Sequence, residues 1–316
     1  MTEVTVINPS YSTTRTVTRQ QPVIEKQTEG KFETVLFLPE GEARQGEGGL
    51  RTQGYFKTSL EGKPLITVVT VVFNGEKFLE ETILNIINQS YDNMEYIIVD
   101  GGSDDGTVEI IRQYEDSIDY WVSEKDKGIY DAMNKGLSSA SGDWINFMNA
   151  GDKFYNNKTL SRIFLNQISK DIIFGQAYIY YKDLSFIRYS DFNLENKDWY
   201  LTKLPNHQSV LVSRKIYKEI FYNTDYKYSA DSVYMKRIFS EFSCHEVNVI
   251  ISKFELGGVS NFYGTFDTYK QITIDHIKMS RSVIRPIIVN GIKFLFQKIM
   301  GIDNYLKFYI KYIVKK

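Results

Sequence analysis

Between residues 65 and 148 the chain alternates short apolar runs with segments whose apolar residues recur at helical spacing. The runs at 65–73, 95–99 and 143–148 are typical of strands in a largely buried sheet. Helical patterns separate these runs, so the connections are crossovers and neighbouring strands run parallel. The sequence therefore predicts an α/β fold: a mainly parallel sheet flanked by helices, with functional loops at the carboxyl ends of the strands.

Outside this stretch the pattern is less regular. Residues 1–30 favour an irregular arm, 33–38 a short strand, and 41–49 a loop, because four glycines there are costly in a regular element. Further helices are predicted at 107–114, 129–140, 160–168 and 229–239, and further strands at 119–122, 171–181, 207–212 and 246–252.

Composition excludes several classes of protein. A net charge of −1 gives no support for a nucleic-acid-binding protein. The single cysteine, Cys244, excludes a disulfide framework and a zinc cluster built on thiolates. We recognise neither a signal-peptide pattern nor a run of about 18 apolar residues, so the expected location is the cytoplasm.

A glycine-rich loop at 100–107 follows one predicted strand and opens a helix, a context that favours nucleotide binding. It is not a dinucleotide fingerprint, because Ser103 stands where that motif needs glycine, and no Gly-Lys-Ser/Thr follows. An EF-hand would need an acidic ligand at Gly101. The loop is either a structural turn or a turn whose Asp100 accepts hydrogen bonds from a base or ribose.

A second loop, 123–136, concentrates charged residues around a predicted helix start at Gly128. Lys127 and the helix N-terminal N–H groups can face a phosphate, with Asp126 beside them. The alternative is a solvated run of charge.

The predicted strand at 143–148 ends in the turn Asn149-Ala-Gly-Asp152. A carboxylate at the tip of a central strand is well placed to hold a divalent cation, which can in turn hold a diphosphate. Mg²⁺ or Mn²⁺ suits an oxygen-rich site of this kind. An isolated turn of this composition is otherwise an ordinary polar turn.

Four ordered motifs resemble the family 2 glycosyltransferases, which have the GT-A fold. They are VTVVFNGEKFLEETI, IIVDGGSDDGT, SEKDKGIYDAMNKG and GDWINFMNAGD, between about residues 64 and 154. A looser similarity continues through NHQSVLVSR, SADSVYMKR and ELGGVS. The resemblance implies transfer of a sugar from a nucleoside diphosphate to an acceptor hydroxyl, with inversion at the anomeric carbon.

The resemblance also implies a donor site. Phe73 and Asn74 close the first strand, where the family cradles the nucleotide, and Asp100 matches the first acidic residue after the second strand. Gly101 stands where many relatives carry an aspartate that contacts uracil, which leaves the base open, although a UDP-sugar is favoured. The other expected donor contacts are Asp126, Lys127 and Asn149.

The same resemblance assigns the reacting end of the site. Asp152 matches the metal-binding turn and is its only carboxylate. Asp231 matches the general base, although a carboxylate in the first turn of a helix is also stabilised by the helix dipole. His207 and Gln208 can contact donor or acceptor, or be structural. No tryptophan follows an arginine, so the Q-x-x-R-W motif of processive members is missing and a single transfer is favoured.

The predicted organisation has three parts: an N-terminal arm, partly disordered, at 1–63; a GT-A domain at 64–262; and C-terminal helices at 263–316. Residues 282–316 carry seven Lys/Arg and one Asp among interleaved apolar residues. Such a basic amphipathic tail can lie in an anionic membrane interface or pack on the catalytic domain.

The sequence thus predicts a metal-dependent glycosyltransferase of cell-surface polysaccharide or glycolipid synthesis, with a saccharide or lipid-linked saccharide as acceptor. The expected location is the cytoplasm or the inner face of the membrane, as a peripheral protein. Two alternatives stay open. A sugar nucleotidyltransferase would carry a glycine-rich loop with arginine after its first strand, and residues 72–77 contain no arginine. A catalytically silent sugar-nucleotide-binding or scaffold protein is compatible with the reduced acidic turn.

Overall fold

The computed structural model describes residues 3–23, 35–165, 168–190, 204–257, 265–280 and 283–314. The strands in these ranges are β1 (Gly46–Gly48), β2 (Ile66–Val72), β3 (Met94–Asp100), β4 (Tyr120–Ser123), β5 (Trp144–Phe147), β6 (Lys153–Phe154), β7 (Ile172–Tyr181), β8 (Leu184–Arg188), β9 (Val210–Ser213) and β10 (Cys244–Glu255). The helices are α1 (Leu79–Ile87), α2 (Thr107–Gln113), α3 (Ile129–Ser139), α4 (Thr159–Ile163), α5 (Arg214–Tyr217), α6 (Ala230–Glu241), α7 (Phe266–Met279), α8 (Ile284–Met300) and α9 (Ile302–Phe308). Short 3₁₀ turns cover Ser12–Thr14, Glu115–Ser117 and His207–Ser209, and a π-helical segment covers Tyr309–Val314.

The ten strands form one sheet in the order β1-β4-β3-β2-β5-β9-β7-β10-β6, with β8 paired to β7. Strands β4, β3, β2 and β5 are parallel to one another. Beyond β5 the sheet is mixed: β9 is antiparallel to both of its neighbours, and β10 is parallel to β7. The predicted α/β fold is confirmed, and β4, β3, β2 and β5 form its continuous run of parallel strands.

Two apolar cores cover the two faces of the parallel strands. Val69 and Val71 of β2 pack in one core with residues of α3 and α6. Ile66 and Val68 face the other way, into a core with α1 and α2. Because every residue of β2 and β3 is buried, these strands carry apolar side chains on both faces, as the sequence pattern predicts.

The predicted loop at 41–49 is wrong for Gly46–Gly48, which forms edge strand β1 antiparallel to β4. The two glycines are what permit this pairing. A Cβ atom at Gly46 would lie 2.7 Å from the ring of Trp121, and one at Gly48 would lie 2.6 Å from its indole nitrogen. The glycines therefore allow close packing on an aromatic ring, a tertiary effect that outweighs their low strand propensity.

Three other element predictions need correction. The strand expected at 207–212 begins with the 3₁₀ turn His207–Ser209 and becomes extended only at Val210. Residues 35–38 form no strand, and the start of the strand expected at 33–38 lies outside the described residues. The helix expected at 160–168 ends at Ile163, and residues 166–167 of that prediction also lie outside the description.

Residues 3–23 of the predicted arm are irregular but packed on the sheet domain, where the sequence favours partial disorder. The Thr13 hydroxyl donates to the Ser117 carbonyl at 2.7 Å, and the Ser12 hydroxyl donates to the Ile87 carbonyl at 3.0 Å. Thr16 donates to the Asp92 carbonyl at 2.7 Å. These bonds attach the arm to the back of α1 and to the loops between the parallel strands.

The C-terminal helices pack on one another. The rings of Tyr269 on α7 and Phe294 on α8 are stacked with centroids 4.9 Å apart. Buried Asn290 lies in the same contact and donates to the Thr273 hydroxyl at 3.3 Å. Within the described residues, no helix has the length and apolar character needed to cross a membrane.

Candidate active site at the carboxyl edge of the sheet

Two clusters of polar residues lie along the edge where the parallel strands end. The loops after β2, β3 and β4 form the first cluster, and the turn after β5 with the His207–Ser209 turn and the start of α6 forms the second. Strands β3, β2 and β5 are adjacent in the sheet. With about 4.8 Å between neighbouring strands, Asp100 lies on the order of 10 Å along the edge from the end of β5.

Asp100 is the organising residue of the first cluster. It is fully buried, and its Oδ2 accepts hydrogen bonds from the Ser103 amide at 3.0 Å and the Ser123 hydroxyl at 2.6 Å. The Gly102 amide also donates to Oδ2, and the Ser103 hydroxyl donates to Oδ1. This carboxylate therefore fixes the loop after β3 against the end of β4.

Asn74 and Phe73 extend the first cluster toward solvent. Asn74 has a left-handed backbone with φ of 50°, its amide donates to the Ser103 hydroxyl at 2.8 Å, and its Oδ1 accepts from the Asp104 amide at 3.0 Å. Phe73 is 64% exposed. Asparagine tolerates the left-handed region better than most residues. The loop after β2 is thus tied to the loop after β3, with an aromatic ring beside them.

Gly101 and Asp126 face each other between the loops after β3 and β4. A Cβ atom on Gly101 would lie 2.5 Å from Asp126 Oδ2, so the Asp126 carboxylate occupies the space that a side chain at 101 needs. Asp126 Oδ1 also accepts from the Gly128 amide at 2.7 Å. Lys127 is exposed, and its amide donates to Asp131 at 3.1 Å. The two loops therefore bring the Asp126 carboxylate and the exposed Lys127 to the same part of this edge.

The turn after β5 is fixed to α1 by Thr82. The Gly151 amide donates to the Thr82 hydroxyl at 3.0 Å, and that hydroxyl donates to the Asp152 carbonyl at 3.0 Å. Gly151 has φ of 95°, a left-handed conformation that favours glycine. These contacts set the position of Asp152 at the start of β6.

The His207–Ser209 turn is fixed to three strands. Asn146 of β5 donates to the carbonyls of Gln208 and Val210 at 3.0 and 2.8 Å. The Ser209 hydroxyl donates to the Gln176 carbonyl of β7 and lies 2.6 Å from the Ser252 hydroxyl of β10. The turn thus holds two consecutive side chains, His207 and Gln208, in defined positions.

Those two side chains connect Asp152 to Asp231. The Gln208 Nε2 donates to Asp152 Oδ2 at 2.9 Å. The His207 Nδ1 lies 3.6 Å from Asp231 Oδ2, and its Nε2 lies 3.5 Å from the Asn149 amide nitrogen. Residues far apart in the chain, on the turn after β5 and in the first turn of α6, therefore share one cluster.

Electrostatics distinguishes the members of this cluster. Burial raises the pKa of the Asp152 carboxyl to about 7, and the hydrogen bond from Gln208 offsets part of that shift. Burial lowers the pKa of His207, against the opposing effect of the Asp231 carboxylate, so the imidazole is neutral at pH 7. Asp231 has a quarter of its side chain exposed. It is therefore an accessible carboxylate beside a neutral imidazole.

The donor atoms around Asp152 fit a hard cation, although the charge is low. Asn149 Oδ1 and Gln208 Oε1 are buried oxygens with no hydrogen-bond partner in the described part of the chain. Buried acceptors of this kind are normally satisfied. The described residues contain no group of three or more His, Cys, Asp or Glu placed to bind a metal. One carboxylate with two amide oxygens therefore suits an oxygen-seeking cation that keeps other ligands.

The sequence interpretation did not single out Tyr130, which contacts Asp231. Its hydroxyl donates to Asp231 Oδ1 at 3.1 Å, and the ring is buried against Tyr222 with centroids 5.8 Å apart. Burial raises the pKa of Tyr130 well above its ordinary value, so the hydroxyl stays protonated as a donor. Its position in SEKDKGIYDAMNKG was the available signal, but its partner lies 101 residues away along the chain.

Comparison with known proteins agrees with this architecture. The model of Glycosyl transferase family 2 matches residues 67–242, more than half of the chain. The chain therefore belongs to glycosyltransferase family 2, and the resemblance of its four motifs is confirmed.

Three relatives give the scale of the similarity. An uncharacterised glycosyltransferase of Mycobacterium tuberculosis is 40% identical over 92 residues, which is 29% of this chain and 35% of that protein. One of Haemophilus influenzae is 32% identical over 162 residues, 49% of this chain and 64% of that protein. A PGL/p-HBAD biosynthesis glycosyltransferase of Mycobacterium bovis is 27% identical over 208 residues, 63% of this chain and 80% of that protein. The chain thus spans only about a third of the length of the first of these.

Solved structures share the fold. Staphylococcus aureus TarS residues 1–349 in complex with UDP has 16% identity and a TM-score of 0.51, covering 79% of this chain and 76% of that one. The same protein with UDP-GlcNAc gives 14% identity and a TM-score of 0.50, covering 79% and 77%. At this level of identity the likeness supports the GT-A fold alone.

Proposed function

We propose that this chain transfers one sugar from a nucleoside-diphosphate sugar to an acceptor hydroxyl, with inversion at the anomeric carbon. The observation that carries the proposal is the connection from Asp152 to Asp231 through Gln208 and His207. It joins a carboxylate suited to the leaving diphosphate with an accessible carboxylate suited to a proton, at the edge of the sheet where ligands of open α/β folds bind.

Asp231 is the proposed general base. As the acceptor oxygen bonds to the anomeric carbon, the bond from that carbon to the phosphate oxygen breaks, and the diphosphate leaves with the electron pair. Asp231 takes the acceptor proton. Tyr130 donates to Oδ1 of this carboxylate, which leaves Oδ2 on the His207 side to accept the proton. Because His207 is neutral, it brings no positive charge to the Asp231 carboxylate.

Asp152, with the amide oxygens of Asn149 and Gln208, would hold Mg²⁺ or Mn²⁺. When bound, such a cation neutralises the charge that develops on the leaving diphosphate. The buried amide oxygens of Asn149 and Gln208 support this role, because they have no hydrogen-bond partner among the described residues and a bound cation would satisfy them.

The loops after β2, β3 and β4 are the proposed nucleotide site. Exposed Phe73 can stack on a base, and Lys127 can reach a phosphate. Asp100 shapes the site from beneath, because its oxygens are occupied by the loop itself. Asn74 and Gly101 shape the loops, and Asp126 supplies the carboxylate beside Gly101. We favour a UDP-sugar, since TarS, which has this fold, has been crystallised with UDP and UDP-GlcNAc.

The transfer proposal is tested with the purified full chain. A thermal-shift screen of UDP-, GDP- and dTDP-sugars with and without Mn²⁺ identifies the donor, because a ligand of the folded state raises the melting temperature. We then expect Mn²⁺-dependent release of nucleoside diphosphate, which Asp231→Asn lowers at least about a hundredfold while donor binding persists. Donor binding without any turnover, with acceptors supplied, would favour the catalytically silent alternative. Release of pyrophosphate from a nucleoside triphosphate would favour a nucleotidyltransferase.

We further propose that the acceptor is a saccharide or lipid-linked saccharide and that the reaction takes place at the inner face of a membrane. The M. bovis relative named for PGL/p-HBAD biosynthesis supports a glycan or glycolipid product. The helix α8 supports the location. Its outward face carries seven exposed large apolar residues at spacings of one, three and four: Ile284, Ile287, Ile288, Ile292, Leu295, Phe296 and Ile299.

The polarity of α8 is inverted relative to a helix packed on a soluble domain. Its buried residues include Asn290 and Gln297, whereas Ile284 and Ile299 are 69% and 73% exposed. Soluble helices place the apolar face inward. The helix carries Arg285, Lys293 and Lys298 and no acidic residue. A second copy would bring like charges together, whereas anionic lipid offers both an apolar layer and opposite charge.

The membrane contact is tested with vesicles of phosphatidylcholine alone or mixed with phosphatidylglycerol. We expect co-sedimentation with the mixed vesicles, lowered at least about tenfold by the double change Ile288→Glu and Leu295→Glu. Leu165→Glu, on a leucine outside α8 that is 76% exposed, is the control and keeps binding. Equal binding of both variants overturns the contact, as does a dimer in solution that only the double variant dissociates.

A further inference from the structure

The segment at residues 41–48, which we call the strap, lies before the part of the chain that the family model matches. It nevertheless contacts the loops after β3 and β4, two of the three loops of the proposed nucleotide site. Its last three residues are β1, paired with β4. The Gln45 amide donates to the Ser123 carbonyl at 2.8 Å, and its side-chain Nε2 donates to the Ser103 carbonyl at 3.1 Å. Gln45 thus bridges the end of β4 and the loop after β3.

Ser103 is the residue that links the proposed nucleotide contacts. Its hydroxyl donates to Asp100 and accepts from the Asn74 amide. A hydrogen bond from Gln45 to the Ser103 backbone therefore acts on the loop that holds Asp100 and Asn74 in place. Gln45 reaches this loop from the edge of the sheet, on the side away from Asp152.

A buried ionic cluster fastens the strap to the loop after β4. The Arg44 guanidinium donates to Glu124 Oε2 from Nε at 2.9 Å and from Nη2 at 2.7 Å. Lys135 of α3 lies 2.7 Å from the other oxygen of Glu124. Only 13% of the Arg44 side chain and 3% of the Glu124 side chain are exposed. A pair so well shielded, with two bonds to one oxygen, fixes geometry more firmly than a surface ion pair.

The backbone of the strap closes over the same loop. The Lys125 amide donates to the Glu42 carbonyl at 3.2 Å. A Cβ atom on Gly41 would lie 2.3 Å from the Glu124 carboxylate, so the chain passes directly over that side chain. Lys125 and Glu124 immediately precede Asp126, whose carboxylate faces Gly101. The strap thus sets the position of the loop that carries Asp126 and Lys127.

We infer that the strap is part of the donor site: Arg44 and Gln45 are positioning residues that hold the loops after β3 and β4 at the separation which the nucleoside of a nucleoside diphosphate requires. The inference rests on the proposed function, because it names an element of that same site. It gives the N-terminal segment a role in donor affinity and none in the chemical step, since the strap lies at the end of the sheet remote from Asp231.

The test measures UDP and GDP binding to the full chain by calorimetry, together with kcat and KM for the donor found by the thermal-shift screen. For Arg44→Gln and for Gln45→Ala we expect the better nucleotide to bind about tenfold more weakly, the loss of roughly one charge-assisted bond or one bridging bond. The donor KM rises by a similar factor, and kcat changes little. Arg44→Lys recovers part of the affinity, because it keeps the charge and loses the two-pronged geometry.

The matched control is Arg19→Gln in the same arm. Arg19 is exposed, lies over the Tyr55 ring at 3.5 Å and donates to the Gln53 carbonyl. These contacts do not involve the loops after β3 and β4. This variant binds nucleotide as the wild type does. Unchanged nucleotide affinity in both strap variants overturns the inference, and so does a fall in kcat with donor KM unchanged. Absence of binding of any nucleotide by the wild type contradicts the proposed function instead, so the two failures are distinguishable.

Discussion

The two polar clusters at the edge of the sheet differ in how completely they are hydrogen-bonded. In the first cluster, Asp100 accepts four hydrogen bonds from its own and neighbouring loops. Asn74 joins the loops after β2 and β3 through both its backbone and its side chain. In the second cluster, Asn149 Oδ1 and Gln208 Oε1 have no partner within the described residues. The first network is complete without a ligand, whereas the two unpartnered buried acceptors support the proposal that a cation binds at the second cluster.

The largest effect on stability is expected from Asp100, because its removal breaks the hydrogen-bond network of the first cluster. Asp100→Ala leaves the Ser103 amide and the Ser123 hydroxyl without their acceptor and should lower the free energy of unfolding by about 3 kcal/mol. Urea denaturation measures this change. Exposed Asp104→Ala, in the same loop, should change the stability by less than about 0.5 kcal/mol. Equal losses in the two variants would contradict the structural role of Asp100.

The second prediction concerns pH and Asp152. Its folded pKa of about 7 lies above its ordinary value, so the carboxyl is protonated in the folded chain at pH 5 to 6 and must lose that proton to bind a cation. Mn²⁺ affinity should therefore rise by up to about tenfold per pH unit below 7 and level off above it. Calorimetry in buffers of different ionisation enthalpy measures both the affinity and the released proton.

The same shift has a consequence for stability without the cation. A carboxyl whose folded pKa is raised favours folding less as pH rises, so the penalty is absent below its unfolded pKa of about 4 and develops up to about 7. Asp152→Asn should remove this pH-dependent loss together with Mn²⁺ binding. Persistence of the pH dependence in that variant would assign the proton to another group.

A smaller effect is expected at Tyr130. Tyr130→Phe removes one hydrogen bond from Asp231 and should lower kcat about fivefold, because the carboxylate loses a donor that orients it. Tyr234→Phe removes a hydroxyl from the same aromatic cluster, in which Tyr234 is stacked on Tyr222, and serves as the control. An equal kcat in the two variants would show that Tyr130 has only a packing role.

The smallest change in the free energy of unfolding is expected from Asn149→Ala, and the sign of this change distinguishes the second cluster from the first. Removing a buried acceptor that has no partner should leave the free energy of unfolding unchanged or raise it by up to about 1 kcal/mol. Mn²⁺-dependent nucleotide binding should fall in the same variant. A clear loss of stability, comparable with that of Asp100→Ala, would mean that the polar groups of the second cluster are also fully hydrogen-bonded without a ligand.

The parallel half of the sheet was predictable because its information is local. The apolar runs predicted as strands at 65–73 and 95–99 lie within a few residues of the observed bounds of β2 and β3. The loops that follow these strands then lie at one edge by topology alone. The positions of Asp100 and Asp152 on that edge are therefore consequences of the parallel direction of these strands, which the alternation of strands and helices predicts.

The remaining features depend on contacts between distant segments. Local propensity gives no reason for Gly46–Gly48 to be a strand, because the cause is the ring of Trp121 on β4. The turn at His207 is fixed by Asn146, Ser252 and Gln176, none of which is near it in sequence. The apolar spacing of α8 predicts an amphipathic helix but not which face is buried. The roles assigned to Asp152 and Asp231 stay predictions until the variants are measured.

His207 and Gln208 are neighbours in the chain, and each serves a different aspartate. Consecutive Cα atoms across a trans peptide are about 3.8 Å apart, so the backbone fixes the separation from which these two side chains reach the two aspartates. A point substitution here alters the contact to one aspartate, whereas an inserted or deleted residue would disturb both contacts together. In relatives we therefore expect the spacing of these two residues to be kept more strictly than their residue types.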